Sequence, residues 1–178
     1  MILDSLKYLG LFLLLLAIQI MLQNKIYFGF NNQFTILFQP QIIIMFILLL
    51  PSNINHLWLI LISFFAGFLA DMYFKTYGIN ASIFTLIGFL RYYVTLSVEN
   101  EISSREEDKK IWTSKKSKSW KWTYFISFIA LYQFLFVMID TFGKNFFTSG
   151  ILTILVSSIV TFFLVLLLED LLFKPSKN

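Results

Sequence analysis

One carboxylate stands alone in the most apolar part of this chain. Asp71 lies between Leu57 and Val98, in two apolar runs joined by a short polar turn. An ionisable side chain in such a run is costly, so it asks for a partner or a task. Lys75, four residues on, is the nearest cation on the same helical face. Arg91 lies thirteen residues past Gly78, roughly 20 Å further along a helix. That depth makes it a poor counter-charge and predicts that it snorkels to the headgroups of the opposite side. Four readings of Asp71 stay open: a wetted acid near the outer face, a cap on the tight turn Lys75-Thr76-Tyr77-Gly78, a polar contact inside the bundle, or a contact with a partner protein. Asp140, Glu169 and Asp170 lie near the ends of other apolar runs, and their spacing forms no relay for protons or ions. His56 has no neighbour of ligand type and reads as an interfacial histidine in a turn. With no cysteine, neither a disulfide nor a thiolate metal site is possible. There is no nucleophile–base pair, Gly-rich phosphate loop, metal set or cofactor motif, so no catalytic, cofactor or metal residue is expected.

The elements that must position these residues are helices in lipid. Of 178 residues, 58% are hydrophobic and 13% charged, and the mean hydropathy is +0.76. Leu, Ile and Phe arrive in continuous runs rather than in alternation, which predicts an all-α, polytopic helical membrane protein and excludes a β-barrel. The longest polar stretch, Glu99 to Lys121, is too short to bury a core of its own. The whole chain, 1–178, therefore reads as one membrane domain with a basic loop at 99–121. The N-terminal apolar run lacks a small-residue exit and reads as an uncleaved first helix.

Six segments can be drawn: Leu6–Gln23, Phe34–Leu50, Leu57–Phe74, Gly78–Val98, Trp122–Phe142 and Thr148–Phe173. Spanning takes about 20 residues, with about 17 as the lower limit. The second segment sits at that limit and carries Gln39-Pro40-Gln41, where proline breaks the hydrogen-bond ladder. It is the weakest of the six transmembrane helices and could instead enter and leave on one side. Small residues mark the third and fourth segments. Ser63, Ala66, Gly67 and Ala70 precede the turn, and Gly78, Ala81, Ser82, Thr85 and Gly88 follow it. Each set recurs at about i, i+3, i+4, i+7 and so lies on one helix face. In lipid such faces let two backbones approach closely, so Ser63, Gly67, Ala70, Asp71, Gly78, Ala81, Ser82 and Gly88 are the predicted residues of helix packing or partner contact.

Charge sets the orientation. Seven of the fourteen Lys and Arg lie in the 99–121 loop: Arg105, Lys109, Lys110, Lys115, Lys116, Lys118 and Lys121. The positive-inside rule places that loop, and with six crossings both termini, in the cytoplasm. Ten basic residues then fall inside, against Lys25, Lys75 and Lys144 outside. Trp58, Trp112, Trp120 and Trp122 fall near the inner boundary and Tyr73, Tyr77, Phe146 and Phe147 near the outer one, as anchoring belts do. Lys109, Lys110, Lys115, Lys116, Lys118 and Lys121, with their tryptophans, suit membrane lipids of negative charge or a cytoplasmic partner. Nucleic acid is not expected, because no binding module surrounds the short basic cluster.

The order Gly67-x-x-x-Asp71, Gly78 seven residues on, then Ala81, resembles the core of the rod shape-determining MreD family. Pro40 and Pro51 flanking QIIIMFILLL ahead of the hairpin fit the same layout, whereas the long basic loop before the fifth span departs from it. The resemblance implies a non-enzymatic inner-membrane component of the bacterial cell-elongation machinery. Its partners would be the periplasmic scaffold MreC, the filament protein MreB, and the RodA–transpeptidase pair that builds peptidoglycan. Gly67, Asp71, Gly78 and Ala81 are the positions that match. The rival class is the substrate-binding membrane subunit of an energy-coupling-factor vitamin transporter. That subunit would turn convergent polar side chains toward a pocket, whereas the polar residues here read as scattered.

Overall fold

The computed structural model describes residues 2–29, 40–51, 54–102, 118–140 and 150–173. Six helices follow in order: α1 (Ile2–Gly29), α2 (Ile44–Leu49), α3 (His56–Phe74), α4 (Ile79–Ile102), α5 (Lys118–Asp140) and α6 (Ile151–Phe173). No strand occurs among the described residues. Among the described residues, four stretches are long and apolar enough to cross a membrane: His56–Phe74, Ile79–Leu96, Trp120–Asp140 and Ile151–Glu169. α1 carries the shorter apolar stretch Tyr8–Gln23. The protein is thus a polytopic helical membrane protein, as its composition predicts. α2, six residues long, rises only about 9 Å and cannot span by itself. Phe34–Gln39, the first part of the doubtful second segment, lies outside the described residues.

The chain divides into two compact units: Met1–Met45 with Phe125–Asn178, and Phe46–Tyr124. In the first unit the chain runs through Pro40–Ile43 with irregular backbone, buried among protein. Non-helical backbone at membrane depth survives only where other groups satisfy its amides. Gln19 of α1, fully buried, supplies them. Its Nε2 donates to the Pro40 carbonyl at 2.8 Å, and its Oε1 accepts from the Ile42 amide at 2.6 Å. The Gln41 amide donates to the Thr161 hydroxyl of α6 at 3.2 Å, and Gln133 Nε2 of α5 reaches the same hydroxyl at 3.5 Å. Gln19, Gln133 and Thr161, which reading by hydropathy passes over, form this unit's polar centre.

The second unit is dominated by the α3–α4 hairpin. Asn55 starts α3, its Oδ1 accepting from the Leu57 amide at 3.2 Å and its carbonyl from the Leu59 amide at 3.0 Å. Lys75 ends the helix in the left-handed conformation, φ 56° and ψ 38°. One face of α3 (Leu59, Ser63, Ala66, Gly67, Ala70, Asp71) is buried, and the other exposes Leu57, Leu61, Phe64, Phe65, Phe68 and Met72. This division suits a helix that packs on protein on one side and meets lipid on the other.

Gln19→Met removes both ends of the bracket while roughly keeping its volume. It strands the Pro40 carbonyl and the Ile42 amide, each at about 1–3 kcal/mol. Thermal unfolding of the purified chain in detergent should show a clear fall in midpoint. A variant as stable as the parent would mean that Gln19 does not hold the break.

Candidate functional site: the clasp of the hairpin

Three of the four motif residues act directly on the first turn of α4. A helix start leaves its first amides without regular intrahelical partners, and here those of Ile79, Asn80 and Ala81 find others before Ser82 makes the first regular bond. Ile79 N donates to the Thr76 carbonyl and Ser82 N to the Gly78 carbonyl, both at 3.0 Å. The two between them go to Asp71: Asn80 N to Oδ1 at 3.0 Å and Ala81 N to Oδ2 at 2.7 Å. The Asn80 side-chain amide adds a bond to Oδ1 at 3.1 Å and one to the Thr76 hydroxyl at 2.8 Å, and that hydroxyl itself donates to Oδ1. A carboxylate is acceptor-only and suits a site offering nothing but donors. The positive end of the α4 dipole adds to the hold. Asp71 is 7% exposed.

Asp71 is thus an N-cap delivered from the preceding helix rather than from the residue before α4, which is Gly78 and has no side chain to offer. Of the open readings, the capped turn and the internal polar contact describe it together. The ion pair with Lys75 does not form. Helix α3 ends at Phe74, so Lys75 leaves the helical path that would stack it over Asp71, and its side chain is exposed. Tyr77 (φ 50°) and Gly78 (φ 90°) complete the turn. A left-handed non-glycine residue costs on the order of 1 kcal/mol or more, so Lys75 and Tyr77 are held there by the bonds that converge on Asp71.

Gly67 lets the clasp close. A Cβ on Gly67 would lie 2.6 Å from both the Ala81 Cα and the Asn80 carbonyl oxygen and 2.8 Å from the Ala81 amide, all of them backbone atoms. One helical turn before Asp71, the bare backbone of α3 therefore touches the residues that Asp71 caps. Further along, Gly88 faces Ser63. A Cβ there would come to 2.9 Å from the Ser63 Cβ, and Ser63, fully buried, turns its hydroxyl inward to the Leu59 carbonyl at 2.8 Å. Ala70 and Ala81 are buried as well. Two residues of the expected stripe stand apart. Ser82 is exposed and donates to the Ile79 carbonyl at 2.8 Å, and a Cβ on Gly78 would meet nothing within 4 Å. Gly78 serves the turn through its positive φ, not through packing.

Arg91 departs from the snorkelling expectation. It is 1% exposed. Its Nε donates to the Tyr124 hydroxyl of α5 at 3.1 Å and its Nη2 to the Leu50 carbonyl. The guanidinium is thus satisfied by two oxygens inside its own unit. His56 is half-buried and stacks on Tyr92, ring centroids 4.3 Å apart, with Phe89 at 5.4 Å. Trp58, Trp122 and Tyr73 are exposed, and Tyr77 is 98% exposed. Asp140, the last residue of α5, is exposed. Lys109, Lys110, Lys115, Lys116, Trp112, Phe146 and Phe147 lie outside the described residues, as does the Lys118 side chain. Lys121 is half-buried. The polar side chains expected to be scattered are in part gathered: Gln19, Gln133 and Thr161 meet around the Pro40–Ile42 backbone. Most of those bonds end on main-chain groups, so the chain break accounts for much of the gathering.

The fold and this clasp define a multi-helix membrane protein whose α3–α4 hairpin is closed by a glycine contact and a buried carboxylate. A family model described as rod shape-determining protein MreD matches residues 4–105, more than half of the chain. The chain belongs to that family and is a rod shape-determining membrane protein. The match runs from α1 through the hairpin and takes in every motif residue. No curated protein and no solved structure matches the chain.

Gly67→Ala pushes backbone against backbone and should cost about 1–3 kcal/mol. Gly88→Ala meets the Ser63 side chain rather than backbone, so it should cost less and be relieved by Ser63→Gly. Melting of the variants side by side tests this, and equal losses at 67 and 88 would refute the backbone contact. Asp71→Asn replaces one acceptor oxygen by an NH2 among donors and removes the charge at the helix start. A loss of about 2 kcal/mol is expected, with Thr76→Ala milder. Unchanged stability in Asp71→Asn would dismiss the cap.

Proposed function

We propose that the chain works as a non-enzymatic scaffold of the cell-elongation machinery in the bacterial inner membrane, with both termini and the 99–121 loop in the cytoplasm. Its partners in this reading are an MreC-like periplasmic scaffold, an MreB-like filament and the RodA–transpeptidase complex of peptidoglycan synthesis. The observation that carries it is the use made of Asp71. Four donors of its own hairpin occupy the carboxylate, which suits a residue that shapes a surface and leaves little capacity for relaying protons. A hairpin held this firmly presents a fixed outer turn, with Lys75 and Tyr77 exposed, against which a periplasmic partner can seat. Ser63, Gly67, Ala70, Asp71, Gly78, Ala81 and Gly88 belong to this role as packing or turn residues, and exposed Ser82 as a position for partner contact. The loop lysines serve anionic lipid or a cytoplasmic partner. The rival reading, a substrate-binding subunit of a vitamin transporter, draws on the polar centre around Gln19 and Thr161.

Affinity capture from gently solubilised membranes, with the co-eluting proteins identified, tests the scaffold directly. An MreC-like partner should co-elute with the parent chain. Asp71→Leu should weaken that association more than it lowers the amount of chain in the membrane. Depletion should round the cells; a nutrient requirement with normal cell shape would favour the transporter reading instead.

A further inference from the structure

Arg91 is the charged side chain of the hairpin that the Asp71 clasp does not absorb. Its guanidinium has two acceptors, the Tyr124 hydroxyl and the Leu50 carbonyl, and both are neutral. Among the described residues no carboxylate pairs with it. Leu50 directly follows α2, and Pro51 comes next. A proline disfavours helix in the residue before it and has no amide to give, so the helix cannot run on through Leu50, and the Leu50 carbonyl takes its donor from Arg91. One turn bond runs from Leu50 N to the Ile47 carbonyl at 3.4 Å. The side chains of Phe46–Leu50 are apolar and buried, and they offer no polar group with which to hold their own exit.

We propose that Arg91 is a latch on this stretch. While the guanidinium holds the Leu50 carbonyl, Phe46–Leu50 stays seated in the hairpin unit. When the guanidinium is removed, the stretch opens locally and α3 and α4 remain clasped at Asp71. The inference is independent of the scaffold reading, since it concerns how one segment is held and not what the protein meets. It also gives a reason for a buried cation with neutral partners. A charged donor makes the stronger kind of bond to a carbonyl, and a single such bond can be made or broken without rearranging an ion pair.

The chain has no cysteine, so one introduced thiol reports alone. Full-length protein in detergent carries Leu48→Cys, and labelling by a water-soluble maleimide is timed. A second version carries Ile83→Cys, which reports on the clasped hairpin. With Arg91 in place both thiols should label slowly. Arg91→Met should speed labelling at position 48 by roughly tenfold or more and leave position 83 slow. Arg91→Lys, with one compact ammonium, should fall between. Unchanged labelling at 48 in Arg91→Met overturns the proposal. So does a parallel rise at 83, which would make Arg91 a general support of the fold. Should Arg91→Met fail to purify, Arg91→Lys decides: faster labelling at 48 alone supports the latch, and no change overturns it.

Discussion

The hairpin depends on a carboxylate reaching from the last turn of one helix to the first amides of the next. Asp71 closes the α3–α4 turn by accepting from the Asn80 and Ala81 backbones at 3.0 and 2.7 Å. A buried helix start cannot leave amides bare, and Asn80 and Ala81 are buried from water that could satisfy them. Gly78 frees the backbone to turn but has no side chain with which to cap. The cap must come from elsewhere, and the contact at Gly67 brings α3 close enough to supply it. Glycine contact, carboxylate cap and positive-φ turn are therefore parts of one constraint, and the spacing of Gly67, Asp71, Gly78 and Ala81 is its trace in the chain.

The same logic recurs in each unit. Several buried polar side chains here serve backbone groups where a helix begins, breaks or ends. Gln19 brackets the break at Pro40–Ile42, Asp71 caps the start of α4, and Arg91 takes the carbonyl at the exit of α2. Asp71 and Arg91, the two buried charged residues among the described residues of the hairpin unit, are not partners of one another. Each is accommodated by peptide dipoles and neutral side chains, which is why neither needs a salt bridge.

How much of this was legible depends on sequence separation. The packing face of α3 can be read at Ser63, Gly67 and Ala70 because size and a 3.6-residue period are local properties. Ser82 fits the same period on paper yet is exposed, since the face that α4 turns to α3 runs through Ala81 and Gly88. The pairing of Asp71 with Lys75 assumes a helix that continues. The left-handed Lys75 ends it one residue too early, and nothing in the residue types announces that. Arg91 and Gln19 were beyond local reasoning, for their partners lie 41 and 33, or 21 and 23, residues away. The signal available was a buried-length apolar run interrupted by a polar side chain, which points to a task but not to a partner. The family could be read from the motif because its residues meet in one turn.

Amide hydrogen exchange at Asn80 and Ala81 addresses the clasp most directly. In the parent chain both amides should be strongly protected although they lie in the first turn of a helix, where exchange is ordinarily fast. Asp71→Ala should release them while Gly88 and its neighbours stay protected. Rapid exchange at Asn80 and Ala81 in the parent chain would mean that the carboxylate does not hold the helix start, and the account of the hairpin would be wrong.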